Sequence, residues 1–411
     1  MRYMIKMTDK TVVVIGGGPA GMIACGRLKD RGCKVILIEK NPMLGKKLRI
    51  TGKGRCNITN IADIEDIMTN IPTNSRFLYS ALYSFTNDDV INLFNSLGVP
   101  TKVERGGRVF PESDSARDVA EALKRYALGK NVTLLKEKAT GILVDDGKVC
   151  GVKCGDKKIP ADSVIVATGG VSYPLTGSTG DGYRFAEKVG HTVIAPKPSL
   201  VPLETKEKWV KEIMGLALKN VEITLWSGDK KIYTDFGEML FTHFGVSGPI
   251  VLSASCHLKK AKDAKITIDL KPALSEEQLD KRILRDIEAA GKKHLQNSLD
   301  ELLPKALIPV IIKEAGLDPH KEVCNITKAE RSKLLTVMKK LTLNVTGTRP
   351  VEEAIITSGG IKVSEINPST MESKLVSGLF FAGEVIDVDA YTGGFNLQIA
   401  YSTGYLAGEN A

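Results

Sequence analysis

The residues whose types and spacing point most directly to chemistry are three glycines near the start of the chain. Gly16, Gly18 and Gly21 follow the apolar run TVVVI and precede a helix-like segment. In a strand–turn–helix context, the first glycine allows a tight turn, the second lets phosphates approach the backbone, and the third lets the helix pack against the strand. Glu39, at the end of the next apolar run, can accept hydrogen bonds from both hydroxyls of an adenosine ribose. The pattern predicts a dinucleotide site, with pyrophosphate on the unpaired N–H groups of the helix start.

Two later glycine pairs distinguish between the possible dinucleotides. Gly169 and Gly170 end the strand-like segment VIVATGG, and Gly393 and Gly394 lie between Glu384 and a C-terminal helix. An extended flavin dinucleotide needs a second contact of this kind: an acid can hold the ribityl hydroxyls, and a helix N-terminus can face the flavin edge where negative charge grows on reduction. A nicotinamide site does not need this far-end element, so the sequence predicts FAD.

Three side chains are candidates for substrate chemistry, and each has a structural alternative. The imidazole of His243 could exchange protons near neutral pH, or it could be a partly buried residue of a turn. Tyr173, after the first glycine pair, and Tyr391, before the second, could face the flavin or could simply pack and hydrogen-bond. The thiol of Cys56 lies beside basic residues, but redox disulfide chemistry needs a partner cysteine, and none is close in the sequence.

The composition is that of a globular protein with two or three domains: 411 residues, 43% hydrophobic and 26% charged. Seven scattered cysteines indicate free thiols in a reducing compartment. The CxxxC spacing of Cys150 and Cys154 does not match the usual zinc-ligand spacings, so no metal site is predicted. The first ten residues contain no apolar signal-peptide core, and no stretch reaches about 18 apolar residues. We therefore expect a cytoplasmic protein without membrane segments.

The net charge of +9 suits an anionic cofactor. Lys and Arg are mixed with Asp and Glu along most of the chain, which favours a solvated mixed-charge surface over a nucleic-acid-binding face. We therefore expect a small-molecule substrate and no nucleic-acid partner. The oligomeric state stays open.

Hydrophobic periodicity indicates the elements that would position these residues. A strand at 11–15, a helix at 19–30 and a strand at 34–39 form the opening βαβ half of a doubly wound sheet. Asp146-Gly147 lies between alternating apolar residues and predicts a hairpin, and a buried strand follows at 163–167. The C-terminal strand and helix would complete the same domain from the far end of the chain.

The residue composition and the hydrophobic pattern change after residue 190. HTVIAPKPSLVPLETKE has three prolines, which disfavours a long helix, and short strand-like runs follow. This predicts a β-rich insert, a barrel or a twisted sheet. Two capping-box patterns, Ser275 with Gln278 and Thr327 with Glu330, predict helices in the next part of the insert.

Four motifs together resemble one bacterial and archaeal family of flavoproteins: RITGKGRCNITN, TGGVSYPLTGSTGDGY, FTHFGVSGP and GEVIDVDAYTGGFNLQ. The family includes aminoacetone oxidase-like proteins and the flavoproteins linked to bile-acid dehydroxylation. The resemblance implies an α/β fold: an FAD-binding doubly wound, glutathione-reductase-like domain with an inserted β-barrel and a small helical module. The corresponding predicted bounds are 1–190 and 345–411 for the FAD domain, 191–270 and 341–344 for the barrel, and 271–340 for the helical module.

The resemblance also implies which residues contact FAD, from the adenosine end to the flavin ring. The predicted cofactor-binding residues are Gly16, Gly18, Ala20, Gly21, Glu39, Lys40, Lys46, Arg55, Cys56, Asn57, Val132, Thr168, Gly169, Gly170, Glu384, Asp387, Gly393, Gly394, Asn396 and Leu397. Among them Glu384 takes the position of the ribityl-binding acid, with Asp387 as the alternative.

The leading functional hypothesis is an FAD-dependent oxidoreductase that transfers hydride between a small organic substrate and flavin N5. Only one full dinucleotide fingerprint is present, so the flavin would be restored either by transient docking of NAD(P)H or by oxygen, as in an amine- or aminoketone-type oxidase. Two alternatives remain open. One is a flavin-dependent modifier of RNA or nucleotides, and the other is a non-catalytic flavin-bound redox sensor.

Overall fold

The computed structural model describes residues 10–258 and 263–411 and divides the chain into two compact units. The first unit runs to Ser199 and resumes at Val351–Ala411, and the second is Leu200–Pro350. The expectation about the first ten residues concerns a segment that lies almost wholly outside the described residues.

The strands, in chain order, are β1 (Thr11–Ile15), β2 (Lys34–Ile38), β3 (Thr59–Asn60), β4 (Thr101–Glu104), β5 (Arg108–Pro111), β6 (Val132–Leu135), β7 (Gly141–Asp145), β8 (Lys148–Cys154), β9 (Lys157–Pro160), β10 (Ser163–Val166), β11 (Val193–Ser199), β12 (Leu203–Thr205), β13 (Ala217–Ser227), β14 (Lys230–Phe241), β15 (Gly245–Ser247), β16 (Ala264–Asp269), β17 (Leu341–Thr348), β18 (Ile356–Ile361) and β19 (Leu379–Phe381). The α-helices are α1 (Pro19–Asp30), α2 (Ile64–Thr69), α3 (Tyr79–Ser84), α4 (Asn87–Ser96), α5 (Ala116–Ala127), α6 (Asp181–Lys188), α7 (Pro249–Ser255), α8 (Glu276–Ala290), α9 (Ile308–Glu314), α10 (Lys328–Lys339) and α11 (Phe395–Asn410).

A five-stranded parallel sheet forms the centre of the first unit, in the order β19-β10-β1-β2-β6. The valines at positions 12, 13 and 14 of β1 are fully buried. Branched apolar residues on both faces of a strand are typical of a parallel sheet that is covered on both sides. The strand nearest the C-terminus pairs next to β10, so the two ends of the chain meet in one sheet.

Helices α1 and α11 pack together through small residues. A Cβ on Gly404 would overlap the carbonyl oxygen of Ala20, and a Cβ on Gly408 would lie 2.8 Å from the carbonyl oxygen of Ala24. The absence of these Cβ atoms lets the two helix backbones approach closely. Arg31 reinforces the contact, because its guanidinium donates to the carbonyl oxygen of Gly408 at 2.8 Å.

Three smaller sheets complete the first unit. They are the antiparallel sets β3-β5-β4 and β7-β8-β9, and the antiparallel pair of β11 with β18. The predicted hairpin lies between β7 and β8, where Asp146 and Gly147 both have positive φ.

The second unit contains a closed barrel of six strands in the order β12-β15-β14-β13-β16-β17. Its apolar core extends into the helices α8, α9 and α10. Both predicted capping boxes are present: Ser275 and Gln278 exchange hydrogen bonds at the start of α8, and Thr327 and Glu330 do so at the start of α10. Each exchange satisfies backbone N–H groups that a helix start leaves unpaired.

The domain bounds differ from the sequence-based ones in two places. Strand β11 pairs with β18 and belongs to the first unit, so the β-rich insert begins at Leu200 and not at residue 191. Strand β17 remains in the barrel up to Thr348, beyond the expected limit of 344. No helix in the described part of the chain has the length and apolar character needed to cross a membrane.

Candidate functional site

The first glycine turn links β1 to α1 and depends on close backbone approach. Gly16 has a φ of 107°, and a Cβ at Gly21 would overlap the carbonyl oxygen of Gly16. Gly18 is the N-cap residue of α1, and a Cβ there would meet nothing within 4 Å. No side chain caps α1, and its first turn contains no acid. The turn therefore leaves unpaired N–H groups beside open space, which is the arrangement that binds a pyrophosphate.

Glu39 lies at the end of β2 and faces this turn. Its Oε2 accepts from the backbone N–H of Gly17 at 2.8 Å, and its Oε1 accepts from the backbone and side-chain N–H groups of Asn41 at 2.8 Å. Asn41 in turn donates to the carbonyl oxygen of Thr176 at 3.0 Å. The carboxylate is thus held in place by its neighbours, and Asn41 is a positioning residue that the motif did not indicate.

The second glycine turn precedes α11. Gly393 and Gly394 have φ values of 136° and 101°, and a Cβ on Gly394 would overlap the carbonyl oxygen of Thr59. The side-chain amide of Asn60 donates to the carbonyl oxygen of Gly393 at 3.0 Å. Helix α11 also starts without a side-chain cap and without an acid in its first turn. The side-chain amide of Asn396 also binds this loop: it donates to the carbonyl oxygen of Ala390 at 2.8 Å and accepts from the Ala390 N–H at 3.0 Å.

The packing of α1 on α11 sets the distance between these two uncapped helix starts. Ala20 meets Gly404 and Ala24 meets Gly408, so the helices run in the same direction. With this register α11 begins about eight residues before α1, which is ~12 Å at the rise of an α-helix. The two helix starts, where negative charge is favoured, are therefore offset along the shared helix direction, which suits a ligand whose pyrophosphate and ring are well separated.

Glu384 follows β19 and joins three segments of the first unit. Its Oε1 accepts from the N–H of Thr357 at 2.7 Å and from the hydroxyl of Ser172 at 3.0 Å, and Lys47 lies 2.9 Å from its Oε2. Lys47 also donates to Ser172 at 2.7 Å. Lys47, Ser172 and Thr357 were not among the predicted residues, because nothing local in the sequence links positions so far apart.

Two predicted cofactor residues carry buried polar atoms that have no hydrogen-bond partner among the described residues. These atoms are the side-chain carbonyl oxygen of Asn57 and the hydroxyl oxygen of Thr168. Buried polar atoms in native proteins nearly always have a partner. With the open space at Gly18 and the two uncapped helix starts, they show that the residues present fit an extended polar ligand.

Other predicted cofactor residues have contacts within the protein. Lys40 forms a 2.5 Å ion pair with buried Asp181, whose pKa is lowered because this ion pair and neighbouring hydrogen bonds outweigh the effect of burial. Arg55 pairs with Glu104 and Asp114. Ala20 faces α11, and Lys46 donates to the carbonyl oxygen of Leu175 at 2.6 Å. Val132 pairs with Val35 in the sheet, Asp387 accepts from Asn74, and Leu397 packs against the apolar core.

The backbone conformation, contacts and burial of Gly169, Gly170 and Cys56 give each of them a structural role. Gly169 has a φ of 71°, and a Cβ on Gly170 would overlap the hydroxyl of Thr357. Cys56 is fully buried, and burial raises the pKa of its thiol to about 12. Such a thiol is protonated at neutral pH and is a poor nucleophile.

The three candidate catalytic side chains do not form one cluster within a unit. His243 belongs to the second unit, where it is exposed between β14 and β15 and meets the ring of Phe244 edge-on at 4.9 Å. It is therefore not the partly buried turn residue of the structural alternative. Tyr173 and Tyr391 belong to the first unit; Tyr173 has a φ of 51°, and Lys47 lies 5.9 Å from its ring centre.

Comparison with known proteins gives matches over nearly the whole chain. The family model described as HI0933-like protein Rossmann domain matches residues 10–410. The chain is 31% identical over 408 residues to the 3-dehydro-bile acid delta(4,6)-reductase of Clostridium scindens, covering 97% of this chain and 98% of that protein. It is 33% identical over 400 residues to the ribosomal RNA dihydrouridine synthase of Haemophilus influenzae, covering 96% of each.

One solved structure extends the comparison to the fold. The 3-ketosteroid delta1-dehydrogenase from Sterolibacterium denitrificans, in complex with 1,4-androstadiene-3,17-dione, aligns over 98% of this chain and 99% of that chain. The TM-score is 0.50 and the sequence identity is 14%, so this likeness concerns the fold alone. The predicted fold class, with its doubly wound domain and inserted barrel, is confirmed.

The relative from Haemophilus influenzae corrects one expectation. Its name describes action on ribosomal RNA, which contradicts the expectation that the protein has no nucleic-acid partner. The argument from mixed surface charge failed because such a surface lowers non-specific attraction for RNA without excluding a specific site. The match over residues 10–410 and the relative at 31% identity make the classification itself plain: the chain belongs to the HI0933-like family, whose members are FAD-dependent oxidoreductases of the Rossmann type.

Proposed function

We propose that this protein is an FAD-dependent reductase that saturates a carbon–carbon double bond conjugated to a carbonyl group in a small organic substrate, with NAD(P)H as the source of the hydride. The observation that carries the proposal is the offset of the two uncapped helix starts, α1 and α11, by ~12 Å along the shared helix direction. This spacing suits FAD, because a ribityl chain separates the flavin ring from the pyrophosphate.

The residues of the first unit then have distinct roles. The Gly16–Gly21 turn and the start of α1 hold the pyrophosphate, and Glu39 holds the adenosine ribose. Glu384 contributes to the ribityl contact, and its ion pair with Lys47 keeps its carboxylate in one place. The start of α11 directs its unpaired N–H groups at the pyrimidine edge of the flavin, where they stabilise negative charge on reduction. The bound flavin supplies hydride chemistry at its N5, which no side chain of the protein can supply.

The substrate class follows from what two dissimilar relatives have in common. A delta(4,6)-reductase of a 3-dehydro bile acid and a dihydrouridine synthase both change ring double bonds that are conjugated to a carbonyl group. A carbonyl group withdraws electrons from such a bond, so hydride adds at the far carbon and a proton is needed at the near one. Tyr173, Tyr391 and His243 are the candidates for that proton.

A second candidate function is reduction of uracil bases in RNA. The observation that favours it is the 33% identity, over 96% of both chains, to the ribosomal RNA dihydrouridine synthase of Haemophilus influenzae. The reaction at the flavin would be the same, and only the molecule that carries the conjugated double bond would differ.

Anaerobic two-step kinetics tests both candidates. The yellow protein would first be reduced with NADH or NADPH, and flavin reoxidation near 450 nm would then be followed with a 4-en-3-one steroid, a 4,6-dien-3-one steroid, uridine, or ribosomal RNA transcripts. We expect fast reoxidation by a dienone. Fast reoxidation by RNA alone, weakened steeply by salt, would favour the second candidate. A flavin that reoxidises quickly only with oxygen would indicate an oxidase and contradict both.

A further inference from the structure

Tyr183, in the first turn of α6, carries a buried hydroxyl group that lies outside the predicted cofactor residues. The residue is 6% exposed, and its hydroxyl oxygen has no hydrogen-bond partner among the described residues. Leaving a buried hydroxyl without a partner is destabilising, so native proteins generally provide one, from the protein, from water or from a ligand. The position of Tyr183 indicates which of these it meets.

Helix α6 starts where two parallel strands end. A Cβ on Gly182 would overlap the hydroxyl of Thr168, which follows β10, and would lie 2.8 Å from a methyl group of Val385, which follows β19. The hydroxyl of Thr168 is itself buried and unpartnered among the described residues. Carboxyl ends of parallel strands are the edge at which open α/β sheets bind ligands. Two unpaired hydroxyls on neighbouring segments at this edge therefore point to a ligand with several polar atoms.

The charged groups that influence the Tyr183 hydroxyl indicate which class of ligand this site suits. Burial raises the pKa of Tyr183, and the carboxylates of Glu384 and Asp387 raise it further. The hydroxyl thus stays protonated and available as a donor at neutral pH. The carboxylate of Glu384, which is already paired with Lys47, and the carboxylate of Asp387 can accept hydrogen bonds from an uncharged chain of hydroxyl groups.

We propose that Tyr183 and Thr168 bind the ribityl chain of FAD through their hydroxyl groups, completing the contact that Glu384 provides. This inference rests on the proposed function, because it takes FAD as the ligand. It assigns a binding role to a residue of α6 that is not among the predicted cofactor-binding residues.

The test is the affinity of the apoprotein for FAD and for ADP, measured by calorimetry, in matched variants. Tyr183→Phe removes only the hydroxyl group and should raise the Kd for FAD about three- to tenfold, the loss of one hydrogen bond. The Kd for ADP, which has no ribityl chain, should not change. Tyr401→Phe is the control, because Tyr401 also has a buried hydroxyl without a partner among the described residues and contacts Phe94 instead. Its FAD affinity should equal that of the wild type.

The outcomes separate this inference from the proposed function. A wild-type apoprotein that does not bind FAD would overturn both. Wild-type FAD affinity in Tyr183→Phe would overturn only the role of Tyr183, and equal weakening of FAD and ADP would place the hydroxyl on the adenosine half and overturn the ribityl assignment. If Tyr183→Phe does not fold, Thr168→Val carries the same test, with the same expected loss for FAD alone.

Discussion

The two glycine turns of the first unit are alike in the helix that follows each of them, but they differ in the contacts that hold them in place. Both lead into a helix with no side-chain cap. The first turn is held mostly by residues near it in the sequence: the N–H of Gly16 donates to the carbonyl oxygen of Ile38 at 2.9 Å, and Gly21 packs on Gly16, although Gly16 also closely approaches the carbonyl oxygen of Ala167. The second is held by residues more than 300 positions away, through Thr59 and Asn60. A site built from neighbours in sequence can be recognised as a motif, whereas a site built from distant segments depends on the completed fold.

The largest expected effect comes from breaking the first turn at its tightest contact. Gly21→Ala places a Cβ on the carbonyl oxygen of Gly16, so we expect the free energy of unfolding to fall by about 1–3 kcal/mol and FAD binding to be lost. Gly18→Ala is the matched change, because Gly18 has a φ of −79° and open space around it. It should leave stability within about 0.5 kcal/mol and weaken only FAD binding. Chemical denaturation and FAD titration would measure both. Equal loss of stability in the two variants would contradict the division between a packing glycine and a phosphate-facing glycine.

The second turn should respond to the same kind of change, to a similar or smaller extent. Gly394→Ala combines a φ of 101° with overlap on Thr59, and we expect a cost of about 1–3 kcal/mol in the free energy of unfolding. A substitution at Gly190 measures the effect of the positive φ without a steric overlap, because the φ of Gly190 is 94° and a Cβ there would meet nothing within 4 Å. Gly190→Ala should therefore cost less. If the two substitutions cost the same in urea denaturation, the contact with Thr59 does not hold the turn.

The same contrast explains what the sequence could and could not predict. The run TVVVI, the three glycines and the two capping boxes are local patterns, and the structure contains β1, α1 and the starts of α8 and α10 where those patterns place them. The strand runs alone predicted a β-rich insert that could be a barrel or a twisted sheet, because they do not determine which strands pair; only the family resemblance favoured the barrel. The predicted barrel segment ended at 344, whereas the strand LTLNVTGT continues to Thr348 and pairs there with β12.

The site residues divide in the same way. Lys40 and Arg55 were assigned to the cofactor from the family resemblance, and the structure adds that they pair with Asp181 and with Glu104 and Asp114. The contact of Lys47 with Glu384 was not predicted. A charged side chain in a loop has many possible partners, and its choice depends on which distant segment the fold brings near. No periodicity or spacing records that choice.

A double-mutant cycle on Lys47 and Glu384 tests directly whether this ion pair between distant segments positions the Glu384 carboxylate. Their side chains are 21% and 23% exposed, so the pair is partly desolvated. We expect Lys47→Met and Glu384→Gln each to lower the free energy of unfolding by about 1–2 kcal/mol, with a coupling energy of about 1 kcal/mol. The pair of Lys157 with Glu137 is the control, because the Lys157 side chain is 70% exposed and such pairs contribute little. A coupling no larger than that of the control would mean that Lys47 does not position Glu384.

The smallest expected effect is a pH dependence at a histidine that supports the strand before the second turn. The His191 side chain is fully buried, its Nε2 lies 2.7 Å from the hydroxyl of Ser373, and its ring meets Phe381 of β19 edge-on at 4.9 Å. Burial lowers its pKa, and Glu365, 3.4 Å from Nδ1, only partly opposes this. Because the folded pKa lies below the unfolded value, the unfolded chain binds more protons, so this contribution to stability is present above about pH 6.5 and is lost as the pH falls through the folded pKa.

Denaturation between about pH 7.5 and 5 would measure this loss. His191→Gln should flatten the slope of stability against pH by up to one proton relative to the wild type. An unchanged slope in His191→Gln would show that the acid sensitivity arises elsewhere. His191 contacts β19, the strand that precedes the second glycine turn. FAD affinity would also be measured over the same pH range. If it falls on acidification in the wild type and does not fall in His191→Gln, the second turn is the part of the FAD site that acid weakens first.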